Sequence, residues 1–429
     1  MKILLLAYHV SPYRGSECSV AWNHITHMSK YHELTVLYGS SGDHMGDDDD
    51  MKMFLASNTL PNVEFVQIKT DRVMDILNGL NRKGILTYSF YIAYKRWHKK
   101  VFEFCNNNIN IDDYDIIHYL TPIGYREPGY LWKFNKPYVW GAVGGAPNID
   151  IRLISRLKPS GQIKFYVRML LNSLQLNFSL RLRRALNKTT ILLTATQENK
   201  VLFQDIHNKN SIYIPENGTL GEYKGIEFSE LVENRITNLI WIGRLDHGKN
   251  LSLLIDALTK IEDSSKVHVH VIGSGPLNSE MRESVNDMGL SSVFTFYGQI
   301  PRTEVANVIK DSDLHVVTSI SEGNPTTIWE VMSYGVPTMT LSHCGMADTV
   351  RQDSGYHINI NSHEEMAIDI ARKLDELIQN PKLLTVAKKN VCRDFYLNHW
   401  NKRVEFFNQV YLGAVEKFNS SRVSRYGQK

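Results

Sequence analysis

Short apolar runs of strand length alternate with longer segments of helical periodicity along most of the chain. In the first half the runs fall at 3–7, 34–38, 64–68, 116–120, 138–141 and 191–196. In the second half they fall at 239–242, 267–272, 294–297, 314–318 and 338–341. Between the later runs lie patterns such as Leu251, Leu254, Ile255, Leu258 and Ile261, at the i, i+3, i+4, i+7 spacing of an amphipathic helix. Strands that read as continuous apolar runs and alternate with helices predict parallel sheets covered on both faces. Two such series predict two Rossmann-like domains of an α/β protein. The turn-forming cluster Pro215-Glu216-Asn217-Gly218, followed by a polar stretch to Asn234, marks the seam. The boundaries expected are 1–215, 216–395 and a C-terminal segment, 396–429.

Length agrees with this division, since 429 residues at about 150 per domain give two or three domains. The net charge of +3, from 48 Lys+Arg and 45 Asp+Glu, does not announce a nucleic-acid binder. Hydrophobic residues at 43% and charged residues at 22% are ordinary globular usage and argue against wholesale disorder. Cys18, Cys105, Cys344 and Cys392 are scattered without metal-ligand spacing, which favours a reducing compartment and no structural metal. The opening MKILLLAYHV reads as a first strand rather than a secretory leader, and the uncharged stretch 169–180 is too short to span a bilayer. A cytoplasmic location is expected. The acidic run Asp47–Asp50 reads as an exposed loop rather than a metal site.

In open parallel sheets, ligands collect at the carboxyl ends of strands. Three loops of the second half lie there. Gly243-Arg244-Leu245-Asp246-His247-Gly248-Lys249-Asn250 carries two cations into a helix for which Asn250 is the expected N-cap. Arg can fork onto phosphate oxygens and Lys supplies a point charge, although two solvated loop cations would read the same. Ser321-Glu322-Gly323-Asn324-Pro325-Thr326-Thr327 starts a helix with Asn324 as N-cap and Pro325 first, which aims the N–H groups of Thr326 and Thr327 outward as an anion site. Glu330, further along, suits ribose hydroxyls better than phosphate, and Glu322 would face the sugar. Gly273-Ser274-Gly275-Pro276-Leu277 is weak alone, a plain tight turn being the simpler reading. Gln299 and Ile300, after the next strand, could line a base. In the first half, the loop at residues 11–17 contains Gly15, where backbone can approach a ligand closely. His118, late in an apolar strand, is by itself an ordinary satisfied core histidine.

Together these residues resemble the retaining glycosyltransferases of family 4. The resemblance is carried by Gly243-Arg244-Leu245 with Lys249, the 273–277 turn, and Glu322 with Glu330 followed by Val331-Met332-Ser333-Tyr334-Gly335-Val336-Pro337. Residues 12–17, Gly144-Gly145 and 215–218 are similar to features of bacterial members. The likeness implies a GT-B fold, two Rossmann-like domains facing across a cleft, with a C-terminal helix near Tyr396 and Trp400 crossing back to the first. It implies transfer from a nucleotide sugar, UDP- or GDP-linked, with retention and without a metal or other cofactor. Arg244 and Lys249 would stabilise the diphosphate, Glu330 would bind ribose and Glu322 would contact the donor sugar or its phosphate. Gly243, Gly273, Gly275, Gln299, Ile300, Asn324, Thr326 and Thr327 would complete the donor site. Gly15 would lie near the phosphates and His118 beside the reacting sugar, which reverses the reading of His118 taken alone. Many relatives place an aromatic residue after Glu-Gly where this chain has Asn324, so donor identity does not carry over. The acceptor implied is a glycan or lipid-linked chain of bacterial surface polysaccharide, such as lipopolysaccharide, capsule or exopolysaccharide. A sugar-nucleotide epimerase, or a silent sugar-nucleotide-binding subunit, are the competing readings.

The near-neutral total hides two acid-free basic stretches. Between 76 and 102 lie Arg82, Lys83, Lys95, Arg96, Lys99 and Lys100, interleaved with aromatics, and nine more basic residues lie between 152 and 188. Two readings stand side by side: solvated helix faces with their aromatics in the core, or peripheral docking on an anionic inner leaflet. Nucleic acid is the disfavoured partner.

Overall fold

The computed structural model describes residues 1–15, 17–83, 85–86, 88–157, 159–225 and 235–426. Backbone contacts sort the chain into two compact units. The first contains residues 1–147, 172–216 and 400–429; the second contains 148–171 and 217–399.

The first unit is built on a seven-stranded sheet, all of whose neighbours are parallel. Its strands are β1 (Lys2–Ala7), β2 (Glu33–Tyr38), β3 (Val63–Gln67), β4 (Ile116–Thr121), β5 (Tyr138–Val143), β6 (Ile191–Thr194) and β7 (Ser211–Tyr213), in spatial order β3-β2-β1-β4-β5-β6-β7. Residues alternate between its two faces, as the strand period requires. Leu4 and Leu6 of β1 enter a core with Tyr94, Trp97 and Trp140. Ile3, Leu5 and Ala7 enter the opposite core, where Trp400, Val404, Phe407 and Tyr411 of the long Trp400–Tyr426 helix cover the sheet. The C-terminal helix begins at Trp400, so Tyr396 belongs to the preceding Lys382–Leu397 helix.

The second unit has a six-stranded parallel sheet: β8 (Thr237–Ile242), β9 (Val267–Ile272), β10 (Phe294–Gly298), β11 (Leu314–Val317), β12 (Thr338–Leu341) and β13 (Gly355–Ile358). Their order, β10-β9-β8-β11-β12-β13, places the topological switch between β8 and β11. Leu239 and Trp241 of β8 face the main core, and Ile240 faces a smaller one with Ile272, Val305 and Ile309.

All eleven apolar runs are strands, displaced by a few residues at most. The two strands without a sequence signal, β7 and β13, are short and lie at sheet edges. Residues 148–171 were expected in the first domain. Instead Leu153 and Ile154 are buried with the second unit's core, and Arg156 pairs with Asp256. The acidic run also differs from expectation. Asp49 opens a helix, and Asp50 is buried, bonded to Ser11 at 2.5 Å and to Arg14 at 2.6 Å.

Candidate functional site

The loops that follow β8, β9 and β11 are held together by their backbones. Gly273 and Gly275 carry this packing. Gly273 sits at φ +125°, and a Cβ there would lie 1.9 Å from the Gly243 carbonyl oxygen; one on Gly275 would lie 2.3 Å from that of Leu245. Only glycine permits so close an approach. The Leu245 N–H donates to Ser274 O at 3.2 Å, and Leu277 N–H to Leu245 O at 3.0 Å. The Gly-x-Gly pair is therefore a seat for the basic loop, not an isolated tight turn. Across the switch point, Ile320 N–H donates to Gly248 O at 2.8 Å.

The backbone at Lys249 is fixed from both sides. Asp246 Oδ1 accepts from Gly248 N at 2.9 Å and Lys249 N at 3.1 Å. The Thr318 hydroxyl donates to the Lys249 carbonyl at 2.9 Å and itself accepts from Trp241 Nε1 at 3.1 Å. Asn250 occupies the N-cap position but adopts the left-handed region, and its side chain caps nothing. Its amide oxygen accepts from Ser252 Oγ at 3.0 Å, so the capping expected of Asn250 is not made.

The Lys249 ammonium forms an ion pair with Glu322, whose same oxygen accepts from Ser319 Oγ at 2.9 Å. Both side chains are partly exposed. Arg244 lies nearby in sequence but is largely exposed, paired among the described residues with Asp246 at 3.5 Å. The helix after this loop is Thr326–Ser333, and its N-cap is Pro325 rather than Asn324. Asn324 instead accepts from Trp329 Nε1 at 2.5 Å, a bond that fixes the loop against the helix. The N–H groups of Thr326 and Thr327 remain at the first two helical positions, where intrahelical partners are absent by geometry. Glu330 has an exposed side chain in a recess where neighbouring protein displaces hydration. This pushes its carboxyl above the usual range, while the charges of Arg302 and Lys224 pull it down.

A fourth strand-end loop, after β12, joins the group without having been singled out from sequence. Gly345 N–H donates to the Glu322 carbonyl at 3.1 Å, and His343 Nε2 lies 3.3 Å from Ser319 O. Cys344 Sγ is 3.1 Å from His343 Nδ1. The available signal was position alone: Ser342-His343-Cys344-Gly345 follows an apolar run. Ile300 packs its side chain into the small core beside Ile242 and Ile272, and Gln299 is exposed. Gly298 O accepts from Gly273 N at 2.8 Å, which ties this end to the glycine seat.

Gly15 lies in the loop after β1, beside Arg14, which is ion-paired with Asp43 and Asp50; Ser16 is outside the described residues. At the carboxyl end of β4, the Glu17 carboxylate accepts from the Ile123 backbone, and burial pushes its pKa up. His118 departs from the expectation of a place beside the reacting sugar. It is wholly buried, Nδ1 lies 2.8 Å from Tyr411 Oη, and Nε2 lies 2.9 Å from Gly141 O. Burial pushes it down to about 4. With both nitrogens engaged and no face open, its geometry is that of a core histidine.

Comparison with known proteins adds a class to this geometry. The fold is GT-B, shared over nearly the whole chain with solved structures. One is Anabaena HepE in complex with UDP and glucose, at TM-score 0.59 and 15% identity, covering 96% of this chain and 99% of that one. Another is the lipopolysaccharide outer core galactosyltransferase WaaB, at TM-score 0.59 and 15% identity, covering 99% and 100%. A family model described as glycosyl transferases group 1 matches residues 226–393. Among curated proteins, the chain is 28% identical over 181 residues to the Escherichia coli UDP-Gal:alpha-D-GlcNAc-diphosphoundecaprenol alpha-1,3-galactosyltransferase, covering 41% of this chain and 45% of that enzyme. It is 24% identical over 208 residues to Bacillus subtilis TuaC, a putative teichuronic acid biosynthesis glycosyltransferase, covering 47% and 51%. The chain thus spans about half the length of these curated relatives. It is a GT-B-fold protein related in sequence to glycosyltransferases of bacterial surface polysaccharide.

Proposed function

We propose that this chain is a retaining glycosyltransferase that moves a sugar from a nucleotide-sugar donor to a glycan or lipid-linked acceptor of bacterial surface polysaccharide. The observation that carries the reading is the Lys249–Glu322 pair, seated on glycine-packed loops at the switch point of a parallel sheet, next to free helix-end amides. A diphosphate and a sugar are complementary to that arrangement. Lys249 exchanges Glu322 for phosphate oxygens, and Arg244, unconstrained at the rim, folds onto the same group. The released Glu322 then accepts a hydrogen bond from the donor sugar. Thr326 and Thr327 N–H groups add the positive end of a helix dipole. Glu330 accepts from ribose hydroxyls.

Cleavage of the sugar–phosphate bond leaves negative charge on the diphosphate, and fixed cations and amides already aimed at it favour that separation. No resident cofactor is invoked. Retention follows from attack on the face the diphosphate leaves, with the departing phosphate taking the acceptor's proton. His118 has no part in this chemistry. The E. coli relative is named for UDP-galactose and a diphosphoundecaprenol acceptor, which favours a UDP-linked donor and a lipid-borne acceptor here, met at the cytoplasmic face of a membrane.

Steady-state turnover of UDP- and GDP-sugars with Lys249→Ala, Arg244→Ala and Glu330→Ala tests the site. Lys249→Ala is expected to lower kcat/KM on the order of 100-fold, the cost of losing one preorganised charge at the leaving group. Unchanged rates in all three variants would refute the assignment.

A further inference from the structure

The Pro159–Phe178 helix shows its apolar side to solvent. Ile163, Tyr166, Val167, Leu170, Leu171 and Leu174 follow i, i+3, i+4, i+7, i+8, i+11, and each is between 46 and 63% exposed. Phe178 extends the stripe at 72%. A surface helix of a globular protein turns such a stripe inward. Here the inward positions are Phe165, against one core, and Asn172 and Leu176, buried further along. A continuous exposed stripe over most of a 20-residue helix marks an interaction face.

Its charges select the occupant. Lys164 and Arg168 border the stripe one turn apart, both exposed and without an ion pair among the described residues. From 152 to 188 the sequence has no Asp or Glu. Arg152, Arg156 and Arg181 are consumed by Asp150, Asp256 and Glu127, but Arg184 and Lys188 are exposed beyond the helix. A second copy on this face would bring like charges together with no acid to answer them. An apolar stripe bordered by cations suits the interfacial layer of a bilayer with anionic headgroups. The same chemistry recurs separately in the first unit. From the end of the Arg72–Arg82 helix to the start of the Ser89–Asn108 helix, Ile85, Leu86, Tyr88 and Ile92 are exposed, as are Arg82, Lys83 and Lys95.

We propose that the exposed face of the Pro159–Phe178 helix lies in the headgroup layer of an anionic membrane, its apolar stripe inserted and its cations on lipid phosphates. The inference rests on the glycosyltransferase reading for its biological use, since it brings the enzyme to a lipid-borne acceptor, but not for its test. The full chain is sedimented, without nucleotide sugar, with vesicles of phosphatidylcholine alone or of phosphatidylcholine with phosphatidylglycerol. Binding to the anionic vesicles only is expected. Leu170→Glu, and separately Lys164→Glu with Arg168→Glu, should weaken it on the order of tenfold or more. Val386→Glu, an exposed apolar position on another helix, should leave it unchanged. Circular dichroism and the thermal midpoint confirm that each variant is folded. No binding to either vesicle, equal binding to both, or binding unmoved by Leu170→Glu overturns the proposal. So does a dimer in sedimentation velocity that Leu170→Glu dissolves, which would assign the face to a second copy. Loss of vesicle binding with sugar transfer intact, or the reverse, separates this inference from the enzymatic one.

Discussion

At the scale of single residues, two atoms' worth of space decide the donor loops. Gly273→Ala would place a methyl group 1.9 Å from a carbonyl oxygen at a φ that L-residues resist, so the two loops must separate or the variant must lose about 2–4 kcal/mol. Urea unfolding measures the loss, and nucleotide binding should weaken with it. The buried histidines make a second prediction. Burial holds His9 and His118 at about 4 and His315 at about 3, and His24 and His98 well below their ordinary value. The unfolded chain, titrating near 6.5, takes up protons that the native state refuses. Stability is therefore full above about pH 6.5 and is lost progressively between about 6.5 and 4, with His118 alone accounting for a loss on the order of 3 kcal/mol. Urea midpoints between pH 7.5 and 4.5 should fall monotonically. His118→Phe takes a partner from Gly141 O and leaves Tyr411 Oη with His24 Nε2 at 2.9 Å, so it should cost stability while leaving nucleotide affinity unchanged.

At the scale of elements, the C-terminal helix behaves as part of the first unit's core. Arg403 is buried, stacks over Trp400 at 4.8 Å, and donates to Pro215 O at 2.6 Å and Glu216 O at 3.1 Å. Burial lowers it to about 9, and removing it takes away the donor it supplies to two backbone carbonyls. Arg403→Met should destabilise the protein by about 2–4 kcal/mol, read from denaturant unfolding. Interior strands were legible from sequence because both their faces are covered, which forces an unbroken apolar run. Edge strands β7 and β13 have fewer buried positions to fill, so Ser211-Ile212-Tyr213 and Gly355-Tyr356-His357-Ile358 left no run to read. Asn250 and Asn324 differ for another reason: each side-chain oxygen is taken by a neighbouring side chain, Ser252 or Trp329, and neither caps a helix. The uncharged stretch 169–180 and its basic neighbours are legible in the sequence, but not the direction in which the Pro159–Phe178 helix faces, which packing alone decides.

At the scale of the molecule, the basic loop and the paired glutamates were legible because their chemistry is local in sequence. The partners from the β12 loop were not, since only the sheet order brings Cys344 and Gly345 beside Glu322. Two compact units, each with cores of its own, predict separable unfolding. UDP or the correct nucleotide sugar, bound to the native second unit, should raise its calorimetric transition by several degrees at saturating concentration. A panel of UDP- and GDP-sugars read this way should rank donors before any acceptor is known.

The chain passes from one unit to the other at 147, 171, 216 and 399, so the first unit is assembled from three separate pieces. Its sheet lacks the cover of Trp400, Phe407 and Tyr411 until the last helix has left the ribosome. The second unit is complete by residue 399 and can fold ahead of it. The nascent first unit must therefore wait with one apolar sheet face bare, and chaperone demand during synthesis should concentrate on that face.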